Sequence, residues 1–254
     1  MTDIDEALDW QGQAIHCADC LHHGVLSGTG CQPLHACVHD RYASRIDRFF
    51  SWHPDLADQY MNHAYFEVRA VAAQYANVFL LPHLLNDPDE TVRWNALQRL
   101  PHRFLLEMRT DPHREVRIRV ASRLAGQELT TMMNDPDYYV RLIVARRISV
   151  AVLPLMMHDP DQEVRREIAL HIDPDWLMPM YTDDNARVRL EIARRLKTEQ
   201  LAWLRHDPDW QVRHEVAQRI GAEYLREFLV DPDELVRDAA QRRAHDDSFA
   251  GKGA

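Results

Sequence analysis

The sequence predicts an all-α solenoid of eight 24-residue repeats over residues 63–254, preceded by a small cysteine-rich domain over residues 1–62. Three observations predict it. The dipeptide Val-Arg recurs at Val68, Val92, Val116, Val140, Val164, Val188, Val212 and Val236, always at an interval of 24 residues. An aspartate stands five positions before each valine from the second unit on, from Asp87 to Asp231, and a leucine thirteen positions after it, from Leu81 to Leu225. All four cysteines and half of the eight glycines lie ahead of the repeats. Several position types sharing one period mark stacked units, none of which buries its apolar face alone.

In chain order, the stretch from Cys17 to Cys37, with Gly24, Gly28 and Gly30, reads as loop, and Arg41 to Trp52, with Ile46, Phe49 and Phe50, as a helix leading into the array. Within a repeat, Asp-Pro-Asp reads as a helix start: the first Asp as N-cap, Pro at the first helical position, the second Asp at the positive dipole end. Asp87 with Glu90 and Asp231 with Glu234 have the spacing of a capping box. Apolar residues then fall at 0, 4, 5 and 8 positions from the valine, as in Val164, Ile168, Ala169 and Ile172. That pattern is one face of a helix of about three turns. A leucine followed three residues later by a bulky apolar residue (Met108, Met132, Met156, Met180) suits a short 3₁₀-like turn with the methionines as core filler. Prolines Pro82, Pro154 and Pro179 fit that short element better than a long helix. The end units look like caps: His63 replaces the aspartate of the first, Gln241 and Ala244 weaken the apolar face of the last, and the tail after Ala244 is expected to fray.

Of 30 basic residues all but Lys197 and Lys252 are arginine, which favours planar, fixed ion pairs. The Val-Arg arginine lies inside the apolar arc, so it is expected to be partly buried and paired with the repeating aspartate, within its unit or one unit along. This structural ladder is preferred to an anion-binding one. A second row seven positions after the valine (Arg99, Arg123, Arg147, Arg195, Arg219, Arg243, with His171 in the remaining place) reads as a solvated face, with phosphate binding the lesser reading. A net charge of −10 argues against non-specific wrapping of nucleic acid. Nothing approaches a run of ~18 apolar residues, so no membrane span is expected. The acidic start Met1-Thr2-Asp3 is unlike a secretory or mitochondrial leader, and a cytoplasmic location is expected. No nucleophile elbow, P-loop, dinucleotide glycine motif or zinc-protease motif occurs, so no enzyme activity is expected.

The cysteines are spaced Cys17-x2-Cys20-x10-Cys31-x5-Cys37. Two close pairs joined by a glycine-bearing loop bring four thiolates towards one metal centre. Disulfides are disfavoured in such a chain. The spacing alone admits zinc, slightly ahead, or an iron–sulfur cluster, and His16, His22, His35 or His39 could replace a thiolate in a zinc site.

The 24-residue period with Asp-Pro-Asp, Val-Arg and Leu-x-x-Met resembles the leucine-rich repeat variant family, and the four-cysteine segment resembles that family's iron–sulfur module. The resemblance implies alternating α- and 3₁₀-helices in a right-handed superhelix, a [4Fe–4S] cluster on Cys17, Cys20, Cys31 and Cys37, and a setting among nitrogen-fixing bacteria. It supplies no biochemical role. The residues point first to a non-enzymatic scaffold that binds a protein partner, its cluster stabilising the end of the array or sensing redox state. Nucleic-acid binding through the arginine rows comes second, and electron transfer to a docked partner third.

Overall fold

The computed structural model describes residues 6–23 and 31–250, the last five as backbone alone. Gly24, Gly28, Gly30 and the final residues 251–254 lie outside the described residues. The described chain is helical, without a strand. Two isolated bridges, Leu8 with Ala14 and Gln32 with Ala36, are its extended pairings. No described helix is long and apolar enough to cross a membrane. The chain divides into two compact units, Met1–Leu124 and Ala125–Ala254.

In the first unit the helix Ala43–Trp52 buries Ile46, Phe49 and Phe50 completely, as their spacing predicts, and starts two residues later than expected. A 3₁₀ turn at Pro54–Tyr60, which the sequence reading did not anticipate, leads into the repeat helices Phe66–Tyr75, Glu90–Arg99 and Arg114–Ala121. The second unit carries Tyr138–Arg147, Gln162–His171, Ala186–Arg195, Trp210–Ala217 and Glu234–Ala250. The last helix continues past Ala244, where fraying was expected, to Ala250. All eight Val-Arg valines are 0% exposed, so the repeat register read from the sequence is the register of the core. The short second elements are 3₁₀ turns such as Leu81–Asn86 and Leu153–Met156. Three of them contain one α-turn: Arg103–Glu107 and Leu225–Phe228, each beside a 3₁₀ turn, and Gly126–Thr130. None of these three carries the proline that blocks an i→i−4 bond in the others. Thr198–Leu204 lacks one too and stays 3₁₀.

The helix starts differ from expectation. The N-cap is the second acidic residue of Asp-Pro-Asp, not the first: Asp89 accepts the Thr91 N–H, Asp137 that of Tyr139, Asp161 that of Glu163 and Asp209 that of Gln211. Where Asp184 replaces proline, Asn185 caps the Arg187 N–H. The first Asp is engaged elsewhere, so the expected Asp87–Glu90 box does not form. Asp87 accepts the Asp89 N–H at 2.9 Å and receives the Arg69 fork, Nε and Nη2, at 2.7 and 2.8 Å.

That fork settles the ladder question: arginine pairs one unit along, at an offset of 18 residues. The same bidentate geometry joins Arg93 to Asp111, Arg141 to Asp159, Arg165 to Asp183, Arg189 to Asp207 and Arg213 to Asp231. The third nitrogen, Nη1, donates backwards to main-chain carbonyls of its own unit, in Arg141 to Asp135 at 2.8 Å and Pro136 at 3.3 Å. One planar group thus closes its own helix start and holds the next unit's turn, which a lysine could not do. Burial alone would raise the Asp231 carboxyl; the bonds from Arg213 and the Asp233 N–H outweigh it and hold the group below its ordinary value. In the first repeat His63 imitates the aspartate, its Nδ1 accepting the Tyr65 N–H and its carbonyl the Arg69 Nη1.

Arg99, Arg123 and Arg147 of the outer row are exposed, as a solvated face predicts, yet four members of the row also bond main-chain carbonyls. Arg99 donates to the carbonyls of Ala73 and Ala76, Arg195 to those of Ala169 and Ile172, Arg219 to those of Ala193 and Leu196, and Arg243 to those of Ala217 and Ile220. Each guanidinium therefore caps the C-terminus of the preceding repeat helix, where orphan carbonyls and the negative dipole end favour a cation. Arg123 instead lies over the Trp94 ring at 5.8 Å.

Candidate metal centre

The four cysteines are held by short-range geometry. Cys17 opens a 3₁₀ turn, Cys17–Asp19, and the Cys20 N–H donates to the Cys17 carbonyl at 3.2 Å, which sets the first pair together. The second pair flanks a tight loop closed by Gln32 N–H to Ala36 carbonyl at 2.9 Å and the reverse bond at 2.8 Å. Cys37, 4% exposed, is fixed to the Ala43–Trp52 helix by its N–H to the Arg45 carbonyl. Arg45 in turn pairs with the fully buried Asp40 at 2.9 Å. All four thiols are free and line one cavity of about 80 Å³ with Ile15, His22, His23 and Pro33. Among the described residues, no group of three or more His, Cys, Asp or Glu side chains is drawn together as the shell of a single metal ion.

The electrostatics show that the thiols share this space. Burial pushes the Cys37 thiol up to about 12, with Cys31, Asp40 and Cys20 adding to it and the His39 backbone N–H opposing. Cys31 is raised by burial and then by Cys20 and Cys17. Tyr60 is raised to about 12 by burial and by Cys20, Cys37 and Cys31. Four thiolates sharing one cavity, with Cys37 buried and the other three half-buried, would repel one another, and a cationic metal core removes that cost. Backbone N–H groups already point at sulfur, His22 to Cys20 Sγ at 3.5 Å and His39 to Cys37. Such bonds stabilise metal-bound thiolate. The donor set therefore fits a thiolate-held group.

The histidines divide. His22 lines the thiol cavity, but its Nε2 is 2.5 Å from the Tyr60 hydroxyl and its ring rests on Phe49. His35 Nδ1 meets Arg48 Nη1 at 2.8 Å. His16 and His39 line a neighbouring hollow of about 270 Å³ with Asp9, Trp10 and His63, which shares Ile15 and Cys20 with the thiol cavity. The sequence reading missed Tyr60, which packs against Phe49 and Phe50 and meets the cavity-lining His22, because its role depends on the unforeseen Pro54–Tyr60 turn.

Leu34, between Cys31 and Cys37, has φ of 63° and is 43% exposed. Leucine there costs on the order of 1 kcal/mol, whereas asparagine tolerates the left-handed region. Leu34→Asn is expected to raise the urea midpoint of the metal-free chain. A lowered midpoint would show that the leucine side chain contributes more than its backbone strain removes.

Comparison with known proteins agrees with this geometry. Residues 7–59 match the family model of the LRV protein FeS4 cluster, and residues 138–161 that of the leucine-rich repeat variant. The chain is 48% identical over 101 residues to an uncharacterized 27.7 kDa protein in the nifB 3′ region of Rhodobacter capsulatus, an alignment covering 40% of this chain and 41% of that protein. A solved structure described as a leucine-rich repeat variant with a novel repetitive structural motif matches with a TM-score of 0.80 and 39% identity, over 89% of this chain and 97% of that one. The fold coincides over nearly the whole of that relative, and the chain belongs to the leucine-rich repeat variant family, with the family's iron–sulfur module ahead of its repeats.

Proposed function

We propose that the chain is a non-enzymatic iron–sulfur repeat protein of the cytoplasm whose repeats bind a protein partner and whose [4Fe–4S] cluster, held by Cys17, Cys20, Cys31 and Cys37, makes that binding respond to redox state. The observation that carries the reading is the single cavity shared by four free thiols. A cavity suits a polyatomic core, whereas a lone zinc ion draws its thiolates in to about 2.3 Å. When bound, such a cluster supplies one-electron chemistry. The chain's own part is to line the cavity with Ile15 and Pro33, to bury Cys37, and to aim the His22 and His39 N–H groups at sulfur. The forked inner arginines are engaged by carboxylates, and Arg99, Arg195, Arg219 and Arg243 of the outer row by carbonyls, which argues against a phosphate-binding surface. The printed name of the Rhodobacter relative is in keeping with a nitrogen-fixing setting.

Anaerobically purified protein is expected to contain about four iron and matching acid-labile sulfide per chain. Cys20→Ser is expected to lose both, and His16→Ala neither. Stoichiometric zinc without sulfide, in protein made with iron supplied, would overturn the cluster. Anaerobic pull-down from native lysate in the oxidised and reduced states is expected to retain a partner in one state more than in the other. Equal capture in both would remove the redox role.

A further inference from the structure

The second compact unit carries a groove that the ladder does not explain. Two hollows, of about 430 and 390 Å³, share Thr182, Asp183 and Asp184 as the ridge between them. One side of the ridge is aromatic. Trp203 is 64% exposed, and its ring meets that of Tyr181 at 5.9 Å and 62°, so the two form an open corner beside the ridge. The groove's other carboxylates are already paired: Asp159 with Arg141, Asp183 with Arg165 and Asp207 with Arg189.

Asp184 is different. It is exposed, and among the described residues no hydrogen bond or ion pair engages its side chain, its charge acting only at a distance on the Arg165 that forks to Asp183. Six other units place proline at this position. The fold does not require the carboxylate, because the Asp184 carbonyl accepts Arg189 Nη1 at 3.2 Å just as the proline carbonyls accept theirs. A surplus negative charge beside an exposed aromatic corner is the chemistry that receives a cation: the ring faces attract it and the carboxylate fixes its head.

We propose that this groove binds an arginine or lysine side chain from a basic segment of a partner protein, the cation lying against Trp203 and Tyr181 with its charge towards Asp184. The proposal rests on the reading of the repeats as a partner surface and is independent of the cluster. A negative ridge repels phosphate, so a nucleic acid does not suit the same groove.

The test is a fluorescence-anisotropy titration of the full chain with a fluorescein-labelled peptide of alternating glycine and arginine, at about 0.15 M salt to screen non-specific attraction. Saturable binding is expected. Asp184→Pro, which installs the residue of the other units, and Trp203→Ala are each expected to weaken it about fivefold or more. Glu234→Gln, which removes the same charge outside the groove, is expected to leave it unchanged, and circular dichroism of all three should match the parent. Cys20→Ser is expected to bind the peptide as the parent does, so loss of the cluster and failure of the groove read out separately. Equal affinity of parent and Asp184→Pro, equal effects of Asp184→Pro and Glu234→Gln, or preference for a DNA duplex over the peptide would each overturn the proposal.

Discussion

Arg141→Ala is expected to destabilise the protein by about 2–4 kcal/mol, near the range for breaking a buried ion pair. The substitution removes two bonds to Asp159, whose side chain is 4% exposed, and leaves that buried carboxylate, among the described residues, with the Asp161 N–H as donor. It also strips the donor from the Asp135 and Pro136 carbonyls. Arg141→Lys is expected to recover little, because a single ammonium cannot serve a two-oxygen carboxylate and two carbonyls together. A double-mutant cycle should give a larger coupling with Asp159 than with Asp135, which meets Arg141 through a backbone carbonyl. A urea midpoint unchanged by Arg141→Ala would remove the structural ladder and return the arginines to consideration as ligand groups.

Deletion of one whole repeat is expected to leave a folded chain, and deletion of half a repeat is not. Removing residues 159–182 places Asp183 at the 18-residue offset from Arg141 that Asp159 now occupies, so the fork finds an equivalent carboxylate. The apolar faces stay in step because every valine is 24 residues from the next. Removing residues 159–170 places His171 at that offset and turns the following helix out of register. Far-UV circular dichroism and urea unfolding should show a helical, cooperative protein in the first case and lost helix in the second. Equal behaviour of the two deletions would refute the repeat assignment.

The repeat was legible because burial leaves a periodic trace: valine, leucine and alanine recur where the core needs them, and arginine beside valine announces a buried charge in want of a carboxylate. What the pattern could not show was where main-chain carbonyls would lie. The arginines at Arg99, Arg195 and Arg219 read as surface because their partners have no side chain to reveal them. The same blindness misplaced the N-cap. Both acids of Asp-Pro-Asp are chemically able to cap, and the choice between them is made by the preceding unit's arginine, which claims the first. At the candidate metal centre, the spacing anticipated the cavity that Cys17, Cys20, Cys31 and Cys37 line, but not the aromatic packing near it. Tyr60 comes from a 3₁₀ turn whose signal is one proline, and His22 meets it from the cysteine segment; of the histidines named as alternative ligands His22 lines the thiol cavity, His16 and His39 the neighbouring hollow, and His35 neither.

The forward reach of each arginine also sets the symmetry available to these junctions. Every described ladder joint is made of unlike halves, a guanidinium from one repeat and a carboxylate turn from the next, so it is heterologous and has a direction. An end that carries one half of the joint cannot complete it against a like end about a two-fold axis, because the complementary half is missing from both. The joint that extends the array thus carries its own veto against pairing two arrays front to front, and copies that associate must do so through some other surface.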